Sequence, residues 1–503
     1  MQAQTGIWIT LAVYLALIVF VGIWTGRKSK SIADFTVGGR KAGAWLSALS
    51  YGTAYFSAVM FVGYAGGTGM KYGMWGIMAG LGNAVFGSYF AWKVLARRTR
   101  DVSARLKIKT MPQYFELRYG SSAIKTFACI VIFVFMVPYS ASVYKGLASV
   151  ADVLLGIDYD VCMVIIAVLA ALLLVLGGYL AQARADFVQG IVMMVGIAML
   201  IFFVVRSEQV GGLAGIAEYA KGEHGFSKMS GSNHIALWAT MLMTSFGTWG
   251  LPQMIQKYFG IKDDKQAKRG VLISTFFALL VAGGGYFIGS LCYRFFTLDE
   301  MQEMTQDYVV PNLLKESHLP SVLLGVVLML LIAASVSTLC SVTLTASSTL
   351  TIDFIAPRAK LDEKKSKILI KSLCVVFIIV SYVVANTKTP ILDMMSYSWG
   401  IISGSFLAPY VLALYYKKLT KGGAWCGVLG GFLTAMVPAS CKILTLCGVE
   451  AAGVVKLAGF GPQFACAAMI LSIVLCFIGS QIFRSEKDEK NSEFFYKGIV
   501  ESE

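Results

Sequence analysis

Ser50-Tyr51-Gly52-Thr53-Ala54-Tyr55-Phe56-Ser57 lies in the middle of an apolar run over residues 44–70. Thr244-Ser245-Phe246-Gly247-Thr248-Trp249-Gly250-Leu251-Pro252 lies inside another over 234–255. Both mix glycine, hydroxyl side chains and aromatics where a lipid-facing helix would be continuous Leu, Ile and Val. Pro252 removes a backbone donor and clashes with the preceding turn, so its helix should break or kink. Unwound backbone at membrane depth is tolerated only where it is buried in protein or lines a cavity. The two stretches therefore predict a pair of interrupted membrane helices around a shared site.

The surrounding chain has the same character. Of 503 residues, 57% are hydrophobic and only 14% charged, with a mean hydropathy of +0.70; soluble domains carry about 25% charged residues. The apolar residues fall into about 13 runs long enough to cross a hydrocarbon core of about 30 Å: 7–24, 44–70, 74–96, 124–152, 159–180, 186–205, 234–255, 270–293, 320–352, 368–385, 391–415, 424–446 and 462–483. The fold class is an all-α polytopic membrane protein. The run over 7–24 lacks a basic leader and a small-residue cleavage site, and Arg27-Lys28 follows it, so it reads as a retained span.

A net charge of +15 does not indicate nucleic acid. The basic residues sit in short clusters: Arg27, Lys28, Lys30, Arg40 and Lys41; Arg97 to Lys109; Lys257, Lys262, Lys265, Lys268 and Arg269; Arg358 to Lys367. All fall on one side of the membrane if the N-terminus is outside and the C-terminus cytoplasmic, as the positive-inside rule requires. The expected location is the cell membrane, multi-pass, with the bilayer as a partner. Ten cysteines lie mostly within apolar runs without CxxC spacing and read as small packing residues. Cys441 and Cys447 are the one pair placed to meet near the outer surface. The three histidines fall in or beside loops.

The interrupted spans are five apart. An odd separation makes the second five-helix unit run opposite to the first, and the third helix of each unit (124–152 and 320–352) is unusually long. Paired discontinuous helices in inverted repeats point to a transporter's midplane binding site. The organisation is thus an extra N-terminal helix and loop (1–41), a first repeat (42–205), an extracellular linker (206–233), a second repeat (234–415), two peripheral helices (416–484) and a cytoplasmic tail (485–503). In the ninth run, Ala334, Ser337, Thr338 and Ser341 recur at three- and four-residue spacing and form one helix face. Hydroxyls and freed carbonyls suit a hard monovalent cation; equally, Ser and Thr can bond back to their own helix.

Gly38-Gly39-Arg40, Trp45, Ala48-Leu49-Ser50, Gly177-Gly178 with Asp186 and Gln189, and Ser337-Thr338-Leu339 running on to Asp353 resemble the sodium:solute symporter family, near its proline-transporter branch. The resemblance covers roughly residues 5–415. It implies a LeuT-type five-plus-five inverted repeat and a sodium site built from the carbonyls of Thr53, Phe56 and Ala334 with the hydroxyls of Ser337 and Thr338. Asp186 and Ser341 match a second sodium or release site of some members, although Cys340 replaces one of its serines. Asp186 alternatively reads as a helix N-cap. Substrate positions depart more: Tyr55 stands for an aspartate, and Thr244 and Thr248 stand for aromatics, while Pro252 and Tyr139 match. A pocket of Tyr55, Ser57, Trp75, Tyr139, Thr244, Thr248 and Trp249 would suit a small polar organic solute. Lys145 reads as a residue snorkelling to the interface or as a functional charge, and Asp393 as a rim residue.

The expectation is a sodium-coupled symporter of an amino acid, carboxylate or similar solute, with Na+ as coupling ion and no organic cofactor. Proton coupling and a membrane solute sensor are the alternatives. No nucleophile, metal cluster or carboxylate pair at depth suggests an enzyme.

Overall fold

A computed structural model describes residues 36–497 apart from Lys228, Lys388 and Glu450, with four positions of the first apolar run, and the side chains at 173, 175–181 and 321 are not included. The expected span at 7–24 therefore lies largely outside the described residues. Among the described residues the one β feature is a parallel bridge between Ala42 and Ile261; everything else of regular structure is helical.

The elements used below are α1 (Ala44–Tyr55), α2 (Ala65–Tyr72), α3 (Met111–Tyr119), α4 (Ser122–Leu155), α5 (Tyr159–Val205), α6 (Gly231–Phe246), α7 (Pro252–Phe259), α8 (Asp264–Ser290), α9 (Ser321–Thr349), α10 (Glu363–Ala385), α11 (Ile391–Tyr415), α12 (Lys421–Leu446), α13 (Gly461–Ile482) and α14 (Glu486–Tyr496). Eight described helices are long and apolar enough to cross a membrane, and α1 with the helix resuming at Val59 forms a bent pair at 51°. The expected break in the second run is thus present. Phe56 leaves the helix with φ −103° and ψ 106°, and the chain resumes through a wide π turn over Val59–Tyr64.

The other break also matches its sequence. α6 ends at Phe246, Gly247–Trp249 forms a 3₁₀ turn, Leu251 is extended, and Pro252 opens α7 at a position where its missing N–H costs nothing. At 16 residues, α6 is too short to span alone.

One expectation changes. The runs 159–180 and 186–205 are joined in a single helix of 47 residues. The joining residues, Tyr179-Leu180-Ala181-Gln182-Ala183-Arg184-Ala185, contain no glycine or proline to stop the helix, and Ala, Leu, Gln and Arg sustain it.

Glycines set the closest packing. A Cβ on Gly69 would stand 1.9 Å from the carbonyl oxygen of Gly289, and one on Gly289 would stand 2.2 Å from that of Ala65, so α2 and α8 meet backbone to backbone. Likewise, a Cβ on Gly250 would stand 2.9 Å from Ser403 Cα, seating the second break directly on α11.

Among the described residues, Arg40 and the Arg97–Arg105 cluster gather at one face, where Arg40 donates to Ser103 O and Ile108 O. There Arg97 pairs with Asp264 at 2.6 Å, and Arg98 donates to Leu414 O at 2.8 Å. Arg118 donates to the carbonyls of Tyr416, Lys417 and Leu419 just beyond the C-terminus of α11, where a cation complements the helix dipole. The tail forms α14 against this face. Phe495 is fully buried and meets Tyr114 edge-on at 5.2 Å, Tyr496 donates to Ala413 O at 2.6 Å, and Arg105 donates to Phe494 O and Phe495 O.

At the opposite face, Lys145 donates to the carbonyls of Thr387 and Thr389, the latter at 2.8 Å, which supports its snorkelling reading. Asp307, on the short helical turn Gln306–Tyr308, accepts from Ile391 N–H at 3.2 Å. Burial pushes its carboxyl up to about 6. Cys441 and Cys447 are both free thiols rather than a bridged pair: six residues apart at the end of one helix, they lie more than one turn apart and face different sides.

Candidate ion and solute site

The break after Tyr55 strands carbonyls. The last four C=O groups of a helix have no partner within it, and here two are met by side chains from elsewhere. Thr338 on α9 donates to Thr53 O at 3.1 Å, and Tyr139 on α4 donates to Ala54 O at 3.3 Å. Thr53, Phe56, Ala334 and Thr338 are all fully buried. Ala334 lies one helical turn before Thr338 and so shares its face. The structure therefore brings the Thr338 hydroxyl onto the Thr53 carbonyl at the break.

Ser337 is turned slightly away. Its hydroxyl donates to Asp186 Oδ1 at 2.6 Å. With its hydrogen on the carboxylate, the Ser337 oxygen keeps lone pairs free to accept. Asp186 is not a helix cap: it sits in the interior of α5 and is 0% exposed. Its second oxygen accepts from Ser50 at 2.5 Å and pairs with the Lys257 ammonium at 3.2 Å. Lys257 also donates to Ser50 Oγ at 2.8 Å. Counting Lys257 with the basic loop was wrong: it is 2% exposed, because α7 continues two residues past it inside the bundle. Ser341, the other expected second-site residue, accepts from the Gln182 amide.

The solute region lies on the other side of the break. Tyr55, Phe56, Ser57, Met60, Tyr64, Asn83, Thr244, Tyr286, Met395 and Trp399 surround about 10 Å³ of space open to the centre of a water molecule, room for about one water. Tyr55 donates to Thr244 O at 2.7 Å, tying the two interrupted helices together. Thr244 donates to Asn83 Oδ1 at 2.9 Å. Tyr139 meets Trp399 edge-on at 5.6 Å. Of the residues singled out in the sequence, Tyr55, Ser57 and Thr244 line this space, and Tyr139 packs behind Trp399.

Four expected members do not line this cavity; of these, Tyr139 reaches it only through its contact with Trp399. Trp75 donates to Ser227 O at 2.9 Å and packs on Phe226 of the linker and His234 of α6. Its 3₁₀ turn, Gly73–Gly76, ends the helix beyond the site. Trp249 points outward to Phe86 O at 2.9 Å. Thr248 bonds back to Ser245 O at 2.9 Å, one turn earlier. Sequence reading missed Trp399, Asn83, Tyr286, Lys257 and Ser50. Ser396-Tyr397-Ser398-Trp399-Gly400 has the same hydroxyl–aromatic–glycine mixture as the two breaks, and Ser403 on that helix donates to Gly247 O at 2.6 Å.

Two interrupted helices enclosing a small cavity lined by aromatic and hydroxyl side chains are the arrangement of a LeuT-type transporter fold. Comparison with known proteins agrees. The family model "Sodium:solute symporter family" matches residues 35–431, and the chain belongs to that family. Similar curated proteins are the high-affinity proline transporter PutP of Bacillus subtilis (strain 168), 28% identical over 83% of this chain and 89% of that one, and the osmoregulated proline transporter OpuE of the same organism, 26% identical over 85% and 88%. A sodium/proline symporter of Staphylococcus aureus is 26% identical over 86% and 85%. Among solved structures, a Na+-coupled sialic acid symporter in a substrate-bound outward-open state superposes with a TM-score of 0.77 at 16% identity, covering 95% of this chain and 98% of that one. Mhp1, a nucleobase-cation-symport-1 family transporter, superposes with 0.56 at 12% identity, covering 92% and 98%. The family is one of transporters, not enzymes.

Proposed function

We propose that this protein imports a small, polar, net-neutral organic solute, with an amino acid of proline's size as the leading candidate, by coupling its uptake to sodium. The observation that carries the reading is the Thr338 hydroxyl held on the Thr53 carbonyl at the break of the first interrupted helix. Sodium would be bound by the carbonyls of Thr53, Phe56 and Ala334 and the hydroxyls of Ser337 and Thr338, joining α1 to α9. The solute would sit beside it among Tyr55, Ser57, Tyr139 and Thr244, with Asn83 and Trp399 added by the geometry. None of these side chains is charged, which suits a zwitterion or an uncharged polar molecule. The proline-transporter names of the relatives support the same choice.

The cavity is too small for any such solute as it stands, so loading requires the half-helices to move, as alternating access demands. With the basic face in the cytoplasm, α1 and α7 form the inner halves and Ser50, Asp186 and Lys257 lie on the exit side of the sodium. The buried Asp186–Lys257 pair is the one observation favouring proton coupling, since intramembrane ionisable pairs serve proton relays. Uptake into proteoliposomes of a panel beginning with L-proline, driven by sodium, lithium or a proton gradient alone, tests both. Sodium-driven accumulation of at least one solute is expected. Accumulation on a proton gradient alone would select the proton reading, and no accumulation on any gradient would refute transport of the panel's chemistry.

A further inference from the structure

We infer that Lys257 stands in for a second coupling cation, so that this protein binds a single sodium per transport cycle. The inference rests on the sodium reading above. Asp186 is the carboxylate nearest the ion site and has no solvent contact. A buried carboxylate needs a compensating positive charge, because the desolvation it has suffered is repaid only by close, well-bonded pairing. In a site built from the chain's other oxygens, that charge would have to come from a bound cation. Here the Lys257 ammonium, 3.2 Å from Oδ2 and 2.8 Å from Ser50 Oγ, supplies it from within the bundle.

The neighbourhood otherwise has the parts of a cation site. A small cavity, again with about 10 Å³ open to a water centre, is lined by Gln182, Asp186, Gln189, Ser337 and Cys340. Gln182 Oε1 is buried there without a hydrogen-bond partner. Its Nε2 donates to Ser337 O and to Ser341 Oγ, so the amide oxygen is left on the cavity side. A sodium entering this space would meet a carboxylate already neutralised by Lys257 and would add an uncompensated charge to a buried site. Cys340 offers sulfur where a hard cation prefers oxygen. Lys257 is therefore a positioning residue: it holds Asp186 without touching the solute or the first sodium.

The test is equilibrium binding of radioactive sodium to purified protein, with thermal unfolding run in parallel to confirm the fold. Wild type should bind about one sodium per chain with a Hill coefficient of about one. Lys257→Arg, which keeps the charge, should do the same. Lys257→Gln should unmask Asp186 and bind about two sodium ions, with a Hill coefficient above one. The double variant Asp186→Asn/Lys257→Gln removes both charges and should return the count to about one. Lys257→Met, which also removes the charge and should also bind about two sodium ions, takes the place of Lys257→Gln if that variant is poorly folded. Two sodium ions bound by wild type, or one bound by a folded Lys257→Gln with an unchanged Hill coefficient, would overturn the inference. No sodium bound by wild type would instead overturn the sodium reading itself, and this inference with it.

Discussion

Replacing Thr338 by valine exchanges a hydroxyl for a methyl of nearly the same size and so isolates one ligand. Thr338 is fully buried and its hydroxyl meets only Thr53 O, at 3.1 Å. Two consequences separate. Without sodium, the variant loses one neutral hydrogen bond, worth about 0.5–1.5 kcal/mol of stability. With sodium, it loses an oxygen bonded to a charge, worth about 1.5–3 kcal/mol. At about 1.4 kcal/mol per tenfold, that is about a 10- to 150-fold rise in the sodium concentration for half-maximal uptake. Thr338→Ser keeps the oxygen and should recover most of the wild-type dependence. The assay is initial uptake of the transported solute into proteoliposomes against external sodium, with thermal unfolding of the same preparations as a check on folding. A folded Thr338→Val within about twofold of wild type would refute the assignment, because no ligand to a cation is lost that cheaply. Ser337→Ala disturbs Asp186 as well as the ion, so its effect should not add simply to that of Thr338→Val.

Three further outcomes are expected. Phe495→Ala should release α14: an 11-residue helix is marginal alone, and the lost ring is worth up to about 3–5 kcal/mol. Trypsin should then cut near Lys487 and Lys490 at least about tenfold faster, and unchanged cleavage would show that the tail is held by other contacts. Gly69→Ala or Gly289→Ala should sharply lower the yield of folded protein, whereas Gly453→Ala, with nothing within 4 Å of its added Cβ, should not; equal yields would refute the backbone contact. Asp307 has a folded-state pKa of about 6, above the ordinary value of about 3.9. Its contribution to stability is therefore present below about pH 4 and lost as pH rises through about 6. Asp307→Asn should be more stable than wild type at neutral pH, with the difference closing as pH falls to about 4, read by thermal unfolding at stepped pH. A difference constant across that range would refute the shift.

Much of this was legible from residue chemistry. The break at Phe56 was visible because Gly52, Thr53 and Ser57 interrupt an apolar run, and Thr338 was visible because helical spacing puts it on one face with Ala334 and Ser341. What stayed hidden depended on direction. Lys257 belongs by number to a cluster of lysines, and only the fold shows that α7 carries it inward while Lys262 lies beyond the helix. Trp75 and Trp249 have the composition of pocket residues, yet one turn of helix decides whether an indole faces the cavity or a neighbouring carbonyl. Trp399 and Asn83 come from segments remote in sequence, and single-chain periodicity carries no information on which remote faces meet. The junction within α5 was missed for another reason: two apolar runs separated by polar residues predict a turn, but helix-forming residues can carry the hydrogen-bond ladder straight through.

The touching backbones at Gly69 and Gly289 have a mechanical meaning. Side chains can rotate to absorb a displacement, but two peptide planes in contact cannot, so α2 and the end of α8 must travel as one lever. The compliance of this half of the bundle is then concentrated in the few residues around Phe56 and Ser57, which are also among the residues proposed to face ion and solute. Hinge and receptor are the same piece of chain. Cargo bound at that proposed site would send no message to a distant joint; it would stiffen the joint by sitting in it.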